Sequence, residues 1–322
     1  MGAEYLLEAT HLSTWFPVKS SFVTQKGSQI KAVNDVTLSI RNGEVLGLVG
    51  ESGSGKTTFG LTILQLVKPT SGSVRFKGSE LTVLKKAELR PLRREMQIIF
   101  QDPYSSLDSR MNIRDIITEG LIIHRIGTKK EQKERVAELL SLVGLAPEYA
   151  SRYPHEFSGG QRQRISIARA LAVNPRFLVA DEPVSSLDVS VRAQIINLLY
   201  DLRMKLGLTI LFISHDLSVI QHISERVAVM YLGRVMEMAK TESLYNDPKH
   251  PYTVALMDAI PIPDYQSRRP FKVIEGDIPS PINPPSGCVF RTRCPKAVPE
   301  CASVIPEVRE IGPEQTVACI RA

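Results

Sequence analysis

Residues 50–58 read GESGSGKTT, and they restrict this chain to a small set of folds. Gly50, Gly55, Lys56 and Thr57 fill the fixed places of G-x-x-x-x-G-K-[ST], with Glu51, Ser52, Gly53 and Ser54 between them and Thr58 behind. Before the motif, Glu44 to Val49 is an apolar run of strand length; after it, Phe59 to Val67 has helical spacing. Strand, glycine loop and helix in register form a phosphate cradle. Small residues let backbone N–H groups close around phosphate oxygens, and the helix presents its positive end. Lys56 then reaches the β- and γ-phosphates, and the Thr57 hydroxyl binds Mg²⁺. A Gly/Ser-rich linker would need none of these partners.

The 322 residues allow one large domain with an appendage, or two domains. A hydrophobic share of 43% with 23% charged residues is that of an ordinary globular protein. There is no run of eighteen apolar residues, so no membrane-spanning helix is expected. The opening MGAEYLLEAT has no basic region and is not expected to be a secretory signal. The net charge of +6 admits nucleic acid or an anionic membrane face as partner. No basic stripe with interleaved aromatics accompanies it, so nucleic acid is not expected as a partner.

Tyr5 to Ile40 alternates apolar residues as antiparallel strands do, with a polar loop over Lys19 to Gln29. Trp15 and Phe16 precede that loop, and either ring could stack on a nucleobase or pack into a core. Asn42-Gly43 reads as a turn, and Pro69 to Gly72 as another. Ser73 to Gly78 alternates like an exposed strand. Gln97 to Gln101 is a short strand, and Gln101 could contact Mg²⁺, meet the attacking water or simply cap a loop. Helical spacing runs from Ile113 to Leu145 and returns from Arg162 to Val173, directly after Phe157-Ser158-Gly159-Gly160-Gln161. That Ser/Gly turn is a second anion-friendly helix start.

Arg176 to Glu182 is an apolar strand that ends in two carboxylates. Downstream of a phosphate loop this is the shape of a Mg²⁺-side Asp181 followed by a general base, Glu182. Leu208 to Ile213 is a further buried strand. His215, just past it, lies where α/β sheets bind ligands and could contact a γ-phosphate.

GESGSGKTT, Gln101, FSGGQ, FLVADE, Ser185 to Asp188 and His215 stand in the order and spacing of ABC-type ATPases, which the chain resembles from Tyr5 to about Asp247. The resemblance implies an α/β fold. Its parts are a P-loop NTPase core with a RecA-like parallel sheet, an antiparallel β-subdomain and an α-helical subdomain over about 102–165. It also implies that two such domains pair head to tail. Ser158, Gly159, Gly160 and Gln161 then face the partner's nucleotide, Asp188 sits at the dimer seam, and Gln101 senses Mg²⁺ and the membrane partner. For the adenine it favours Phe16 over Trp15. The signature opens with Phe157 where Leu is commoner in the family.

The lead-in YPHEFSGGQRQRISIARAL resembles importer ATPases, and His250-Pro251-Tyr252-Thr253 resembles the oligopeptide/dipeptide importers. The implied boundaries are 1–247 for the ATPase domain and 248–322 for an importer-type extension. The implied partners are a second ATPase subunit, two transmembrane permease subunits and, indirectly, an extracytoplasmic peptide-binding protein. The implied place is peripheral, on the cytoplasmic face of the inner membrane. Nickel chelates are an alternative cargo. A soluble ABC ATPase acting on ribosomes or DNA is the rival class, though such chains usually carry two domains or a coiled-coil insertion.

All four cysteines, Cys288, Cys294, Cys301 and Cys319, fall in the proline-rich tail with spacing C-x5-C-x6-C-x17-C. Four thiolates can hold a [4Fe–4S] cluster, and Cys294-Pro295 echoes the Cys-Pro of ferredoxin-like ligation. Zinc ribbons use closer pairs, and free thiols are the third reading. The importer group that the chain resembles carries this pattern, and some of its members hold a cluster there.

Overall fold

The computed structural model describes residues 5–18, 28–260 and 276–322. Most of the predicted loop over Lys19 to Gln29, and Pro261 with the start of the proline-rich tail, lie outside these residues. Among the described residues no helix is long and apolar enough to cross a membrane. The chain divides into two compact units, each built from separated pieces of sequence.

The first unit comprises residues 1–6, 40–45 and 83–213. Its strands Met96–Ile99, Phe177–Asp181 and Thr209–Ser214 lie parallel, with Phe177–Asp181 in the centre. Every residue of the two later strands is buried. Their sequences are therefore near-continuous apolar runs, as expected of parallel strands covered on both faces.

Four main helices complete this unit. Ile113–Ile123 starts at Asn112, whose side chain accepts the Asp115 N–H; Lys129–Leu142 starts at a Thr128–Glu131 capping box. Gly159–Leu171 begins three residues earlier than the apolar spacing alone predicts, because Ser158 caps it. Val189–Leu206 buries Ile195, Leu199 and Leu202 on one face and ends at Gly207, which is left-handed. A further helix, Lys86–Glu95, buries only Leu89 and contains Pro91, so its sequence carried little helical signal.

The second unit comprises residues 7–39, 46–82 and 214–322. An antiparallel sheet orders its strands as Gln29–Arg41, Tyr5–Pro17, Ser71–Phe76 and Ser79–Glu80. The strand Val45–Val49 pairs in parallel with Arg226–Tyr231, which forms a hairpin with Arg234–Lys240. The tail then extends the sheet. Gln315–Val317 pairs with Arg234–Lys240, and Arg309–Gly312 pairs with Gln315–Val317. Residues 309–317 are thus woven into the sheet that carries the strand before the glycine loop.

Candidate functional site

The glycine loop runs from Val49, at the end of its strand, into the helix Lys56–Ile63. The helix starts at Lys56, earlier than the apolar spacing beginning at Phe59 predicts, because the loop itself delivers its first turn. Gly55 caps it at φ 101°, and a Cβ there would stand 2.0 Å from the Ala32 carbonyl oxygen. A Cβ on Gly50 would stand 2.1 Å from the Met230 oxygen. Neither position admits a side chain, so both glycines are demanded by close backbone approach. Lys56 is buried; its Nζ donates to the Gly50 carbonyl at 2.8 Å and the Glu51 carbonyl at 3.0 Å. Ser54 is buried beneath the loop, while Ser52, Gly53 and Thr57 are exposed and Thr58 is half-buried. The cradle therefore presents backbone N–H groups and a helix N-terminus over a buried ammonium, an arrangement that binds phosphate.

Two elements of the first unit carry the candidate acid–base groups. Asp181 closes its strand buried, and Glu182 follows at φ 45°. A non-glycine residue in this left-handed region is held there by its surroundings. The Glu182 N–H donates to the Ile213 carbonyl at 3.0 Å, and Ser185 N–H and Oγ donate to the Glu182 carbonyl. Gln101 Nε2 donates to Glu182 Oε2 at 3.0 Å. The fold thus joins Gln101 and Glu182 across 81 residues. His215 is exposed after the strand Thr209–Ser214, and Asp216 caps the following helix.

The signature turn is a helix start at which Ser158 is exposed and Gly159 to Gln161 are half-buried. Ser158 Oγ accepts the Gln161 N–H, and Gln161 Oε1 accepts the Ser158 N–H at 3.0 Å. Behind it Phe157 is buried, edge-on to Tyr149 at 5.5 Å. The larger ring at this position is accommodated by core packing and does not face solvent. A Cβ on Gly160 would meet Val191 at 2.4 Å. Asp188 is the exposed N-cap residue of Val189–Leu206. Phe16 is 37% exposed on its strand, whereas Trp15 is half-buried with the Lys31 ammonium 5.1 Å over its ring. Phe16 is the more available of the two for stacking.

All four cysteines, none in a disulfide, line one pocket together with His250 and Phe290. Burial raises the Cys288 and Cys294 thiols above their ordinary value. Arg291, Lys296 and Arg321 line the same pocket, and the Lys296 charge works against burial at Cys294 without overcoming it. His250 is buried, and burial lowers its pKa to about 4, so the ring is neutral. Its Nδ1 accepts the Tyr252 N–H at 3.0 Å, which puts the ring proton on Nε2, and that buried N–H has no partner. Among the described residues no three His, Cys, Asp or Glu side chains converge as a single bound ion requires. A four-iron cluster sets its thiolates wider apart than a zinc ion does. Thiols around one pocket, basic neighbours and an unpartnered N–H donor fit such a group.

Residues outside the predicted site also converge here. Glu237 is buried, and its carboxylate accepts N–H groups from Lys249 and His250 and the Gln315 side chain. It anchors the His250-Pro251-Tyr252 segment, where the helix Pro251–Asp258 begins. Arg293 pairs with Glu51. Motif spacing held no sign of either, because their partners lie far away in sequence.

Comparison with known proteins identifies the family. The ABC transporter family matches residues 33–185, and the oligopeptide/dipeptide transporter C-terminal region matches residues 236–301. A putative peptide import ATP-binding protein of Brucella ovis is 56% identical over 92% of this chain and 93% of its own length. The oligopeptide transport ATP-binding protein OppF of Escherichia coli is 50% identical over 99% of this chain and 97% of its own. A solved ATP-binding cassette, a dimer in a post-hydrolysis state with ADP and Pi, superposes with a TM-score of 0.65 at 30% identity. That superposition covers 73% of this chain and 98% of the cassette. A subunit of a Clostridium perfringens ABC transporter complex superposes equally well, at 26% identity over 76% of this chain and 92% of its own.

Proposed function

The chain belongs to the ABC transporter ATP-binding proteins of the oligopeptide type, and from that premise we propose how its residues power the import of di- and oligopeptides. The observation that carries the proposal is one chain holding both a phosphate cradle closed by Gly50 and Gly55 and a Glu182 held at φ 45° with Gln101 on its carboxylate. Peptide cargo follows from the relatives' own names and from the oligopeptide-type C-terminal region.

The loop from Gly50 to Thr58 binds the phosphates of ATP, with Lys56 on the β- and γ-phosphates. Phe16 stacks on the adenine. The Thr57 hydroxyl, the Asp181 carboxylate and Gln101 would hold Mg²⁺, which would offset phosphate charge. Glu182 accepts a proton from water in line with the γ-phosphorus; His215 steadies the γ-phosphate. Ser158 and Asp188 are exposed and Gly159 to Gln161 half-buried, so this turn can reach a partner and complete another subunit's nucleotide site. The second ATPase subunit is a related chain or a second copy.

Proteins of this family work with transmembrane permease subunits. Here we assign two of them, engaged near Gln101 to Arg114, with the chain peripheral on the cytoplasmic face of the inner membrane. An extracytoplasmic binding protein delivers the peptide. Purification from the native membrane is expected to bring down two permeases and a second ATPase, and deletion of the gene is expected to abolish peptide uptake. Recovery with ribosomes or DNA in place of permeases would overturn this assignment.

We assign the cysteine pocket to a [4Fe–4S] cluster, which Cys288, Cys294, Cys301 and Cys319 would hold; the unpartnered His250 Nε2–H in the same pocket would be available as a donor. A cluster there would serve structure or regulation, since phosphoryl transfer needs no redox step. Full-length chain purified without oxygen is expected to be brown and to absorb near ~400 nm. Colourless, iron-free protein with stoichiometric zinc rejects the assignment.

A further inference from the structure

Arg293 joins the cysteine pocket to the phosphate loop. Its Nη1 donates to Glu51 Oε2 at 2.7 Å, and its Nη2 donates to Glu51 Oε1 at 3.0 Å. The arginine side chain is 6% exposed and the glutamate 22%, so this two-pronged pair is largely shielded from water. Pairs with that geometry are strong and directional. The same guanidinium meets the Tyr231 hydroxyl at 3.3 Å. Glu51 is held a second time through its main chain, whose N–H donates to the Tyr252 hydroxyl at 3.0 Å. The residue that opens the variable part of the phosphate loop is therefore gripped at its carboxylate and at its amide. Both grips come from residues beyond 247.

Both grips are also rooted in the cysteine pocket. Arg293 directly precedes Cys294, and its N–H donates to the Phe290 carbonyl at 3.0 Å. The Phe290 ring lies 5.3 Å from Tyr231, 5.2 Å from Tyr252 and 5.8 Å from His250, centroid to centroid. Cys288 N–H donates to the Cys301 carbonyl at 2.9 Å, which ties the turn carrying Arg293 to the far side of the pocket. His250 and Tyr252 are two residues apart and linked by the hydrogen bond to Nδ1, so one segment faces the thiols at one end and Glu51 at the other.

We infer that the cysteine segment positions the phosphate loop, and that the state of the cysteine pocket and nucleotide binding are coupled through Arg293–Glu51 and Tyr252–Glu51. Arg293 and Tyr252 are positioning residues; they touch Glu51 and not the reacting atoms. The inference rests on residues 50–58 being the ATP phosphate site. A phosphate cradle works only while its N–H groups converge, and Glu51, its own N–H committed to the Tyr252 hydroxyl, sets where the backbone of that run begins. Whatever shifts the 288–294 turn shifts Arg293 and loosens Glu51. Linkage makes the effect reciprocal: nucleotide in the loop must stiffen the turn.

The test uses full-length chain, Mg²⁺ and a fluorescent N-methylanthraniloyl ADP. Arg293→Met is expected to weaken nucleotide binding about tenfold, within the coupling range of contacting residues. Arg293→Lys should recover part of that loss, since lysine returns the charge but not the fork. Arg293→Met combined with Glu51→Gln should lose less than the two single losses added together. Hydrogen exchange gives a readout that needs no variant. Mg²⁺ and ADP should slow amide exchange over 288–301 in the unaltered chain, and should not do so in Arg293→Met. Unchanged affinity in a folded Arg293→Met overturns the coupling, as does exchange over 288–301 that ignores nucleotide in the unaltered chain. Failure of the unaltered chain to bind the ADP analogue at all overturns instead the reading of residues 50–58.

Discussion

Glu182→Gln lowers steady-state ATP turnover by about 10²–10⁴-fold, the usual contribution of a positioned general base, and leaves ATP binding intact. The expectation follows from how the residue is held. Its backbone is pinned by the Ile213 carbonyl and by Ser185, and its carboxylate receives the Gln101 amide. Glutamine has the same shape, so the strand end and its left-handed turn persist while the proton acceptor disappears. ATP then remains bound long enough to keep two nucleotide-binding domains closed on each other. Phosphate release measures the first effect; the elution volume of the protein with and without ATP measures the second. Undiminished turnover would remove Glu182 from the role of base.

Lys56→Ala removes the charge at the centre of the cradle. Turnover is expected to fall by at least about 10²–10³-fold, the scale on which one preorganised electrostatic donor acts, with nucleotide affinity falling as well. The side chain also has a structural share, since its ammonium ties down the Gly50 and Glu51 carbonyls. Circular dichroism and the melting temperature of the variant separate that share from loss of phosphate contact. A folded Lys56→Ala protein that hydrolyses ATP normally would refute the phosphate-loop assignment. The two substitutions differ in a useful way. Loss of Glu182 leaves nucleotide trapped, whereas loss of Lys56 leaves little nucleotide bound, so the pair distinguishes chemistry from binding.

Much of the site was legible in the chain because its parts are local. The glycine loop needs only consecutive backbone N–H groups and the helix that follows them. The signature turn needs only Ser158 and Gln161, three residues apart, to cap each other. The buried strands Phe177–Asp181 and Thr209–Ser214 announce themselves as apolar runs, since both faces are covered. Legibility stopped where an element's identity depends on what packs against it. The helix Lys86–Glu95 buries one residue and contains a proline. The strands Arg309–Gly312 and Gln315–Val317 are short, and they exist because Arg234–Lys240 offers an edge to pair with.

The division is sharpest at Glu51. The sequence by itself determined that this residue lies in a phosphate loop, because the motif, its strand and its helix are contiguous. It also determined that the four cysteines form a group, by their spacing. Only the tertiary structure decided that the two belong together. Arg293 and Glu51 are 242 residues apart, and Tyr252 and Glu51 are 201 apart. A contact over such a separation leaves no period and no spacing in a single chain. It is set by the sheet that brings Arg226–Tyr231 beside Val45–Val49 and the tail strands beside Arg234–Lys240. Local hydrogen bonding writes a phosphate cradle into consecutive residues; closing a loop of that length around it is the work of the packed core.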